Sequence, residues 1–385
     1  MRLPVFALLN VMVCLVACQH DEIPIAKTTS IVLEPAPSAI PAATPIKDDP
    51  RIPMPRPTRK RLASAVAENA TCEACHDDIA KEWQGSYHQR ANIEPAYVRA
   101  FAIEPSPFCR SCHAPEADPF KEPPEAVSNL GVGCVSCHVT EQGVVLAAAH
   151  PDETPDPSRP AAPHPLRRSV EFAHAGGCAN CHEFRFPTPG GNDDAFFMQT
   201  TTREHLRSPA AAKPCAECHM PFREGRRSHA FSEVRNEEFL RANLNVSAER
   251  TPEDTLRITL TQPNPGHDFP TGDLFRRLQI GYELLDEAGT VLRRETTYLA
   301  RHFEFIPGQT GRHLTRDDRV QNEPKQIELP LPPLAEMPTN TRLSWWVTYQ
   351  RVATVGKGVD PDTATVVSEV KLHAGSLPWI QPPNL

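Results

Sequence analysis

Ten of the twelve cysteines in this 385-residue chain fall into five Cys-x-x-Cys pairs, and a histidine follows each pair directly. The motifs are Cys72-Glu-Ala-Cys75-His76, Cys109-Arg-Ser-Cys112-His113, Cys134-Val-Ser-Cys137-His138, Cys178-Ala-Asn-Cys181-His182 and Cys215-Ala-Glu-Cys218-His219. Two thiols at this spacing add to the two vinyl groups of one haem, and the adjacent histidine reaches the iron from the same face. The pattern therefore calls for five haem c groups, held by the ten thiols and ligated by the five motif histidines. At this composition chance supplies roughly 0.02 such motifs. Zinc ribbons need two pairs per metal, and five pairs do not divide into twos. Disulfides place no demand on the residue beside the second cysteine.

Covalent macrocycles at this density dictate the fold. The stretch from Cys72 to His219 allots about 30 residues to each motif, so the haems must lie close together and form much of the core themselves. Composition agrees: 42 prolines and 6% aromatics leave little ordinary core material and much irregular backbone. The expected fold is a mainly α and irregular haem-packed cytochrome domain over 62–235, with short helices after each motif, long Pro-rich loops and little or no sheet. From 236 to 385 cysteine is absent and the pattern changes. Thr255–Thr261 alternates as a strand, and Arg277–Leu285 and Thr290–Thr297 flank an Asp286–Gly289 turn, reading as a hairpin. Arg342–Gln350 and Thr363–Leu372 add strands. A small antiparallel β-sandwich-like domain is expected there.

Each iron can take a sixth ligand. Histidine closes the centre and lowers its potential, methionine raises the potential, and an empty position admits substrate. His88 is the leading candidate, twelve residues beyond His76, followed by His229, ten residues beyond His219. His164, His174 and His267 are further candidates; for each, a surface or hydrogen-bonded histidine is the alternative. Met198 and Met220 read as packing residues.

Cys72-x-x-Cys-His76 followed by Glu82-Trp83-x-x-Ser86-x-His88 resembles a multihaem cytochrome c superfamily that includes the tetrahaem electron carrier of ammonia-oxidising bacteria. The resemblance covers residues 69 to 235 and implies a distal-ligand role for His88. Cys215-x-x-Cys-His219-Met220-Pro221 with Ser228-His229-Ala230-Phe231 is similar to another piece of that superfamily and implies the same role for His229. An internal echo, Glu204-His205-Leu-Arg-Ser208-Pro-Ala210, puts His205 at the tryptophan position and Ala210 at the ligand position, which weakens His205 as a ligand. Gly266-His267-Asp-Phe-Pro270-Thr271-Gly272 and the strands after it look like the β-domain appended to many multihaem cytochromes. Nitrite-reducing relatives often replace one attachment histidine by lysine; all five motifs here keep histidine.

The N-terminus reads as an export signal over 1–18: Arg2, then an apolar run from Val5 to Val16 too short to span a bilayer. Leu15-Val16-Ala17-Cys18 resembles a lipoprotein cleavage box that makes Cys18 the lipid-modified first residue, with ordinary cleavage near Ala17 as the alternative. By resemblance to sorting rules in enteric bacteria, Gln19 after it favours the outer membrane; the expected location is exported and lipid-anchored, at the periplasmic face or the outer membrane. Residues 19–61, rich in Pro, Ala and Thr, read as an extended tether. The net charge of −8, with both signs mixed, argues against a nucleic-acid partner.

The leading functional expectation is electron transfer outside the cytoplasm between redox partner proteins, such as other multihaem cytochromes or a quinol-linked membrane donor. The alternative is a multihaem oxidoreductase with one open haem acting on a small nitrogen, sulfur or oxygen compound. A haem-bearing surface module with secondary redox chemistry is the third reading.

Overall fold

The computed structural model describes residues 64–149, 162–185, 197–231, 236–252, 254–308, 312–353 and 363–379. The signal, the tether and Cys18 lie outside the described residues.

The motif-bearing half is built from short helices: α1 (Ala65–Cys75), α2 (Asp77–Trp83), α3 (Pro95–Ile103), α4 (Pro107–His113), α5 (Glu125–Leu130), α6 (Cys134–His138), α7 (Gly177–His182), α8 (Thr201–Leu206) and α9 (Cys215–His219). The helices carry the motifs, and a helix follows directly only after the first, where α2 begins at Asp77. The first pair closes α1, with His76 at the joint to α2, and α4, α6, α7 and α9 each end on a motif histidine. Helical residues three and four apart share a face. Each motif thus presents its two thiols and its imidazole to one side, which is the structural reason for the spacing.

Helices this short are marginal alone, and their ends are tied down individually. Pro95 and Pro107 open α3 and α4, where a missing N–H costs nothing. Buried Asn69 in α1 accepts from the Cys134 N–H at 2.7 Å and so caps α6. Apolar clusters in this half are small: Ala65, Trp83, Leu130 and Val135 form one, and Ala114, Ala117 and Val127 another. Sheet is limited to three short two-stranded pieces, in keeping with the little or no sheet expected. They are parallel β1 (Val145–Ala148) with β2 (Leu166–Ser169), and the antiparallel pairs β3 (Glu183–Arg185) with β4 (Phe197–Thr200) and β5 (Phe222–Arg223) with β6 (Arg226–Arg227).

After α10 (Glu237–Ala242) the chain is β-rich: β7 (Asn245–Thr251), β8 (Thr255–Thr261), β9 (Arg276–Leu285), β10 (Val291–Leu299), β11 (Arg301–Phe305), β12 (Arg312–Asp317), β13 (Lys325–Pro330), β14 (Arg342–Val352) and β15 (Val366–Pro378). A four-stranded sheet runs β10-β9-β14-β15 and a three-stranded sheet β13-β8-β7, all antiparallel, with β11-β12 as a separate pair. Alternation in β8 buries Leu256, Ile258 and Leu260 completely. They share one core with Leu278, Ile280, Tyr282 and Leu284 of β9 and Leu343, Val347 and Tyr349 of β14, so the two sheets bury a common interior. The β9–β10 hairpin turns at Gly289, whose φ of +85° favours glycine.

The five strands expected from sequence correspond to β8, β9, β10, β14 and β15, the last starting at Val366 and extending to Pro378. Strands β7, β11, β12 and β13 were not anticipated. Charges spread along β11 and β12 (Arg301, Glu304, Arg316, Asp317) hide their two-residue period. Among the described residues no helix is long and apolar enough to cross a membrane.

Candidate functional site

All five motifs open onto one cavity of about 2950 Å³, which also reaches residues of the β region from Gln262 to Arg276 and around Tyr349 and Arg351. Ordinary small-molecule pockets span about 300–1,000 Å³, so this space has room for several large groups. Its walls carry all ten motif cysteines, none in a disulfide, and all five motif histidines.

Four motif histidines each face a second imidazole. Ring centroids lie 6.4 Å apart for His76 and His164, 6.2 Å for His182 and His88, 6.2 Å for His138 and His229, and 6.1 Å for His219 and His267. The planes cross at 70° and 86° in the first two pairs and at 31° and 15° in the others. An imidazole nitrogen binds a transition metal at about 2 Å, so two rings sharing one metal hold their centroids a little over 6 Å apart. The separations suit one iron per pair. Among the described residues no three metal-ligating side chains converge as a zinc site requires.

Ring nitrogens sort the histidines further. Metal-bound imidazole usually donates its other N–H to a carbonyl or carboxylate. Nδ1 meets a backbone carbonyl in His113 (Ala91, 2.8 Å), His138 (Leu146, 2.8 Å), His229 (Arg227, 3.1 Å) and His267 (Asp268, 3.1 Å). His182 Nδ1 lies 3.0 Å from the Gln199 side-chain amide, whose oxygen takes the acceptor place after a half-turn. His205 differs: Nδ1 and Nε2 lie 2.8 and 2.9 Å from the carbonyls of Gly266 and Lys213, so both its nitrogens are engaged.

Burial favours the neutral form, the one a metal accepts, in six of the site imidazoles. It pushes His88, His229 and His267 down to about 4 and His182 to about 3, and lowers His113 and His138. Thiols of different motifs meet in pairs: Cys72 with Cys134, Cys112 with Cys181, and Cys178 with Cys215. Hydrogen bonding within these pairs lowers Cys72 to about 7 and Cys215 to about 6 and raises their partners. A thioether carries no such proton, so the geometry is what attachment would retain. Free thiols at helical spacing, imidazoles with one nitrogen available and a cavity of this size fit haem c.

His88 and His229 are placed by neighbouring side chains. Trp83 donates from Nε1 to the Val132 carbonyl at 2.9 Å, and Val132 N–H donates to the His88 carbonyl at 2.8 Å. Gly131, at φ +54°, lies against this backbone: a Cβ there would stand 2.6 Å from the His88 carbonyl oxygen and 2.2 Å from that of Gln89. Glu82 accepts from the His229 backbone N–H at 2.7 Å and from Arg226 at 2.8 Å. His174 lines the cavity in the turn Phe172–Gly176 without an attachment histidine opposite it among the described residues.

His113 stands apart. Tyr97 stacks on it at 3.9 Å and 11°, and no second imidazole faces it among the described residues. Asp273 and Arg351 act on it electrostatically, and Arg351 donates to Asp273 at 3.0 Å. Burial works against the Asp273 charge, but Arg351 and Arg276 outweigh it and hold the carboxyl well below the usual range. Sequence reasoning did not find Tyr97, Asp273 or the two arginines. Nothing local marks them: Tyr97, Asp273 and Arg351 meet His113 only through the tertiary fold, and Arg276 acts on Asp273.

Comparison with known proteins agrees with this geometry. The family model described as cytochrome c554 and c-prime matches residues 71–139. The fold is similar to that of a penta-heme cytochrome c552 from Thermochromatium tepidum, with a TM-score of 0.59 at 18% identity over 81% of this chain and 98% of that one. A domain of the outer membrane lipoprotein Omp28 from Porphyromonas gingivalis aligns at 18% identity over 34% of this chain and 86% of its own, but its TM-score of 0.15 supports no argument. No curated protein matches the chain. The motif region and the fold together support one class, the multihaem cytochromes c.

Proposed function

We propose that this chain is a pentahaem c-type cytochrome that passes electrons between redox partners outside the cytoplasm. The observation that carries the reading is the set of four imidazole pairs at 6.1–6.4 Å. In it, His76 with His164, His138 with His229, His182 with His88 and His219 with His267 would each hold one haem iron between them. Two imidazoles close a centre to substrate and favour low potential. Bound haem supplies the ferric–ferrous exchange. The protein holds the rings and sets attachment points of different motifs against each other through the three thiol pairs. Within the superfamily this describes a relative of the tetrahaem carriers of ammonia oxidisers, extended by a fifth motif and a C-terminal β-domain.

The reading includes export, lipid attachment at Cys18, and partners such as other multihaem cytochromes or a quinol-linked donor. Mass spectrometry of protein from a cytochrome-maturing cell should find five haem adducts and a lipid on Cys18. A colourless product, or one without added macrocycles, would refute the cytochrome; a free amino terminus beyond Cys18 would refute the anchor.

The placement of His113 supports a second reading, an oxidoreductase with one open haem at Cys109, Cys112 and His113 that acts on a small nitrogen, sulfur or oxygen compound. A ferric high-spin component that shifts with cyanide or nitrite is its expected signature. A fully low-spin spectrum indifferent to both ligands leaves electron transfer alone.

A further inference from the structure

His267 lies in the connection between β8 and β9, yet its surroundings bind it more tightly than a surface loop. Gln262 donates to the His267 carbonyl at 3.0 Å and to the Val320 carbonyl at 3.1 Å. Phe269 and Val320 exchange backbone hydrogen bonds of 2.7 and 3.0 Å. Arg319, next to Val320 on the second of these strips, has its side chain 2% exposed. Nη1 donates to the Pro270 carbonyl at 3.1 Å, and Nη2 reaches Asp268 at 3.1 Å. The guanidinium thus grips the segment just after His267 at two points. It also donates to Asp317 and, at 2.8 Å, to Glu204 in α8, on the side of the molecule that carries the fifth motif. Glu204 in turn accepts from Thr200 and Thr271, each at 2.6 Å.

A buried ion cluster adds little stability over an apolar replacement, but its hydrogen bonds are directional. Here the direction matters at one place: Arg319 holds the strip carrying His267 at Pro270 and Asp268, and its bond to Glu204 ties that strip to α8, beside the wall carrying Cys215, Cys218 and His219. We propose that Arg319 is a positioning residue that holds His267 opposite His219, so that the β region completes the fifth haem site. This rests on reading His267 as that haem's second axial ligand.

The test uses full-length, haem-loaded protein and reads the ferric high-spin fraction, the redox titration and the melting temperature. His267→Ala sets the full effect, a high-spin gain of one haem in five. Arg319→Lys keeps the charge but loses the planar fork, and should give at least half that gain, with a matching shift of one component in the redox titration. In the double variant the gain should not exceed that of His267→Ala alone. An Arg319→Lys protein that is fully low-spin, with an unchanged redox titration and only a lower melting temperature, overturns the proposal and leaves Arg319 a structural residue. An unchanged spectrum in His267→Ala overturns instead the reading of His267 as a ligand. If Arg319→Lys does not accumulate, Thr271→Val, which keeps every charge, decides: a high-spin gain supports the proposal, and a native spectrum with a native redox titration refutes it.

Discussion

The segments Glu82–His88 and Glu204–Ala210 repeat one spacing, a glutamate, a ring bearing an N–H, and a serine, and the fold puts both to parallel use. Trp83 donates to the Val132 carbonyl at 2.9 Å; His205 meets the Gly266 carbonyl at 2.8 Å. Glu82 accepts from the His229 N–H at 2.7 Å; Glu204 accepts from Thr271, four residues beyond His267, at 2.6 Å. Each glutamate pairs with an arginine at 2.8 Å. The difference lies in the surroundings. Glu82 and Arg226 keep about a quarter of their side-chain surface in solvent (25% and 29%), whereas Glu204 and Arg319 keep 0% and 2%. The seventh position differs too: the first copy carries His88 there and the second carries Ala210. The second copy carries its imidazole, His205, at the second position and none at the seventh; on the proposal above, the β region supplies His267 in its place and the buried ion cluster holds it there.

The comparison is broken most forcefully at Glu204. Its removal takes one of three carboxylates from the buried Arg319 guanidinium, leaving Asp268 and Asp317, and also removes the shared acceptor of Thr200 and Thr271; breaking a buried ion pair costs about 3–5 kcal/mol. Glu204→Ala should therefore lose stability on that scale in denaturant melts. Loss of less than about 1 kcal/mol would mean that the buried copy is no stronger than a surface pair. Gly131→Ala ranks next. A Cβ 2.2 Å from the Gln89 carbonyl oxygen, at a φ of +54°, forces the backbone beside His88 to move. A cost of about 2–3 kcal/mol is expected, together with a high-spin signal from the haem that His88 serves. A native spectrum would separate His88 from that haem.

These two sites also mark what could be read from the chain alone. The thiol motifs, His88, His229 and the alternating strands were legible because their signals are local: fixed spacing, a short offset from a motif, a two-residue period. The echo at Glu204 was legible as well, including the weakness of His205, whose two nitrogens are both engaged. The role of the glutamates was not, since Glu82 acts on a residue 147 positions away and Arg319 reaches Glu204 across 115. Helices were expected after the motifs; the three-and-four spacing makes a single helical turn the natural holder of the motif itself. The partner of His164 was open in sequence because no local pattern ties it to His76, and the small strand pair β1–β2 leads directly to it.

Glu82→Ala tests the exposed copy. It removes a charged acceptor from the His229 N–H while Arg226 remains able to reach water, so a loss of about 2–4 °C in Tm is expected. A partial high-spin signal from the haem served by His138 should accompany it. A Tm loss as large as that of Glu204→Ala would erase the distinction between the two copies.

The smallest effects separate the copies by pH and salt. Arg226 hydrogen bonding holds the Glu82 carboxyl below its usual range; for Glu204, burial works upward, but Arg319 and the hydrogen bonds from Arg319, Thr200 and Thr271 prevail and hold it low as well. A carboxyl depressed in the fold contributes stability above its unfolded value of about 4.3, lost as pH falls through that value and below. Asp268 runs the other way: burial, opposed by Arg319, with Glu204 and Asp317 beside it, raises its carboxyl to about 6. The fold therefore retains that proton, and its contribution declines as pH rises from about 4 to 6. Salt distinguishes the exposed pair from the buried one. Raising ionic strength from 0.1 to 1 M shortens the screening length from about 10 to 3 Å for groups in contact with water. The stability gap between wild type and Glu82→Ala should shrink by at least half at 1 M salt near neutral pH, while the gap for Glu204→Ala stays constant. Equal salt sensitivity in both would mean that water reaches Glu204 and Arg319 as freely as it reaches Glu82 and Arg226.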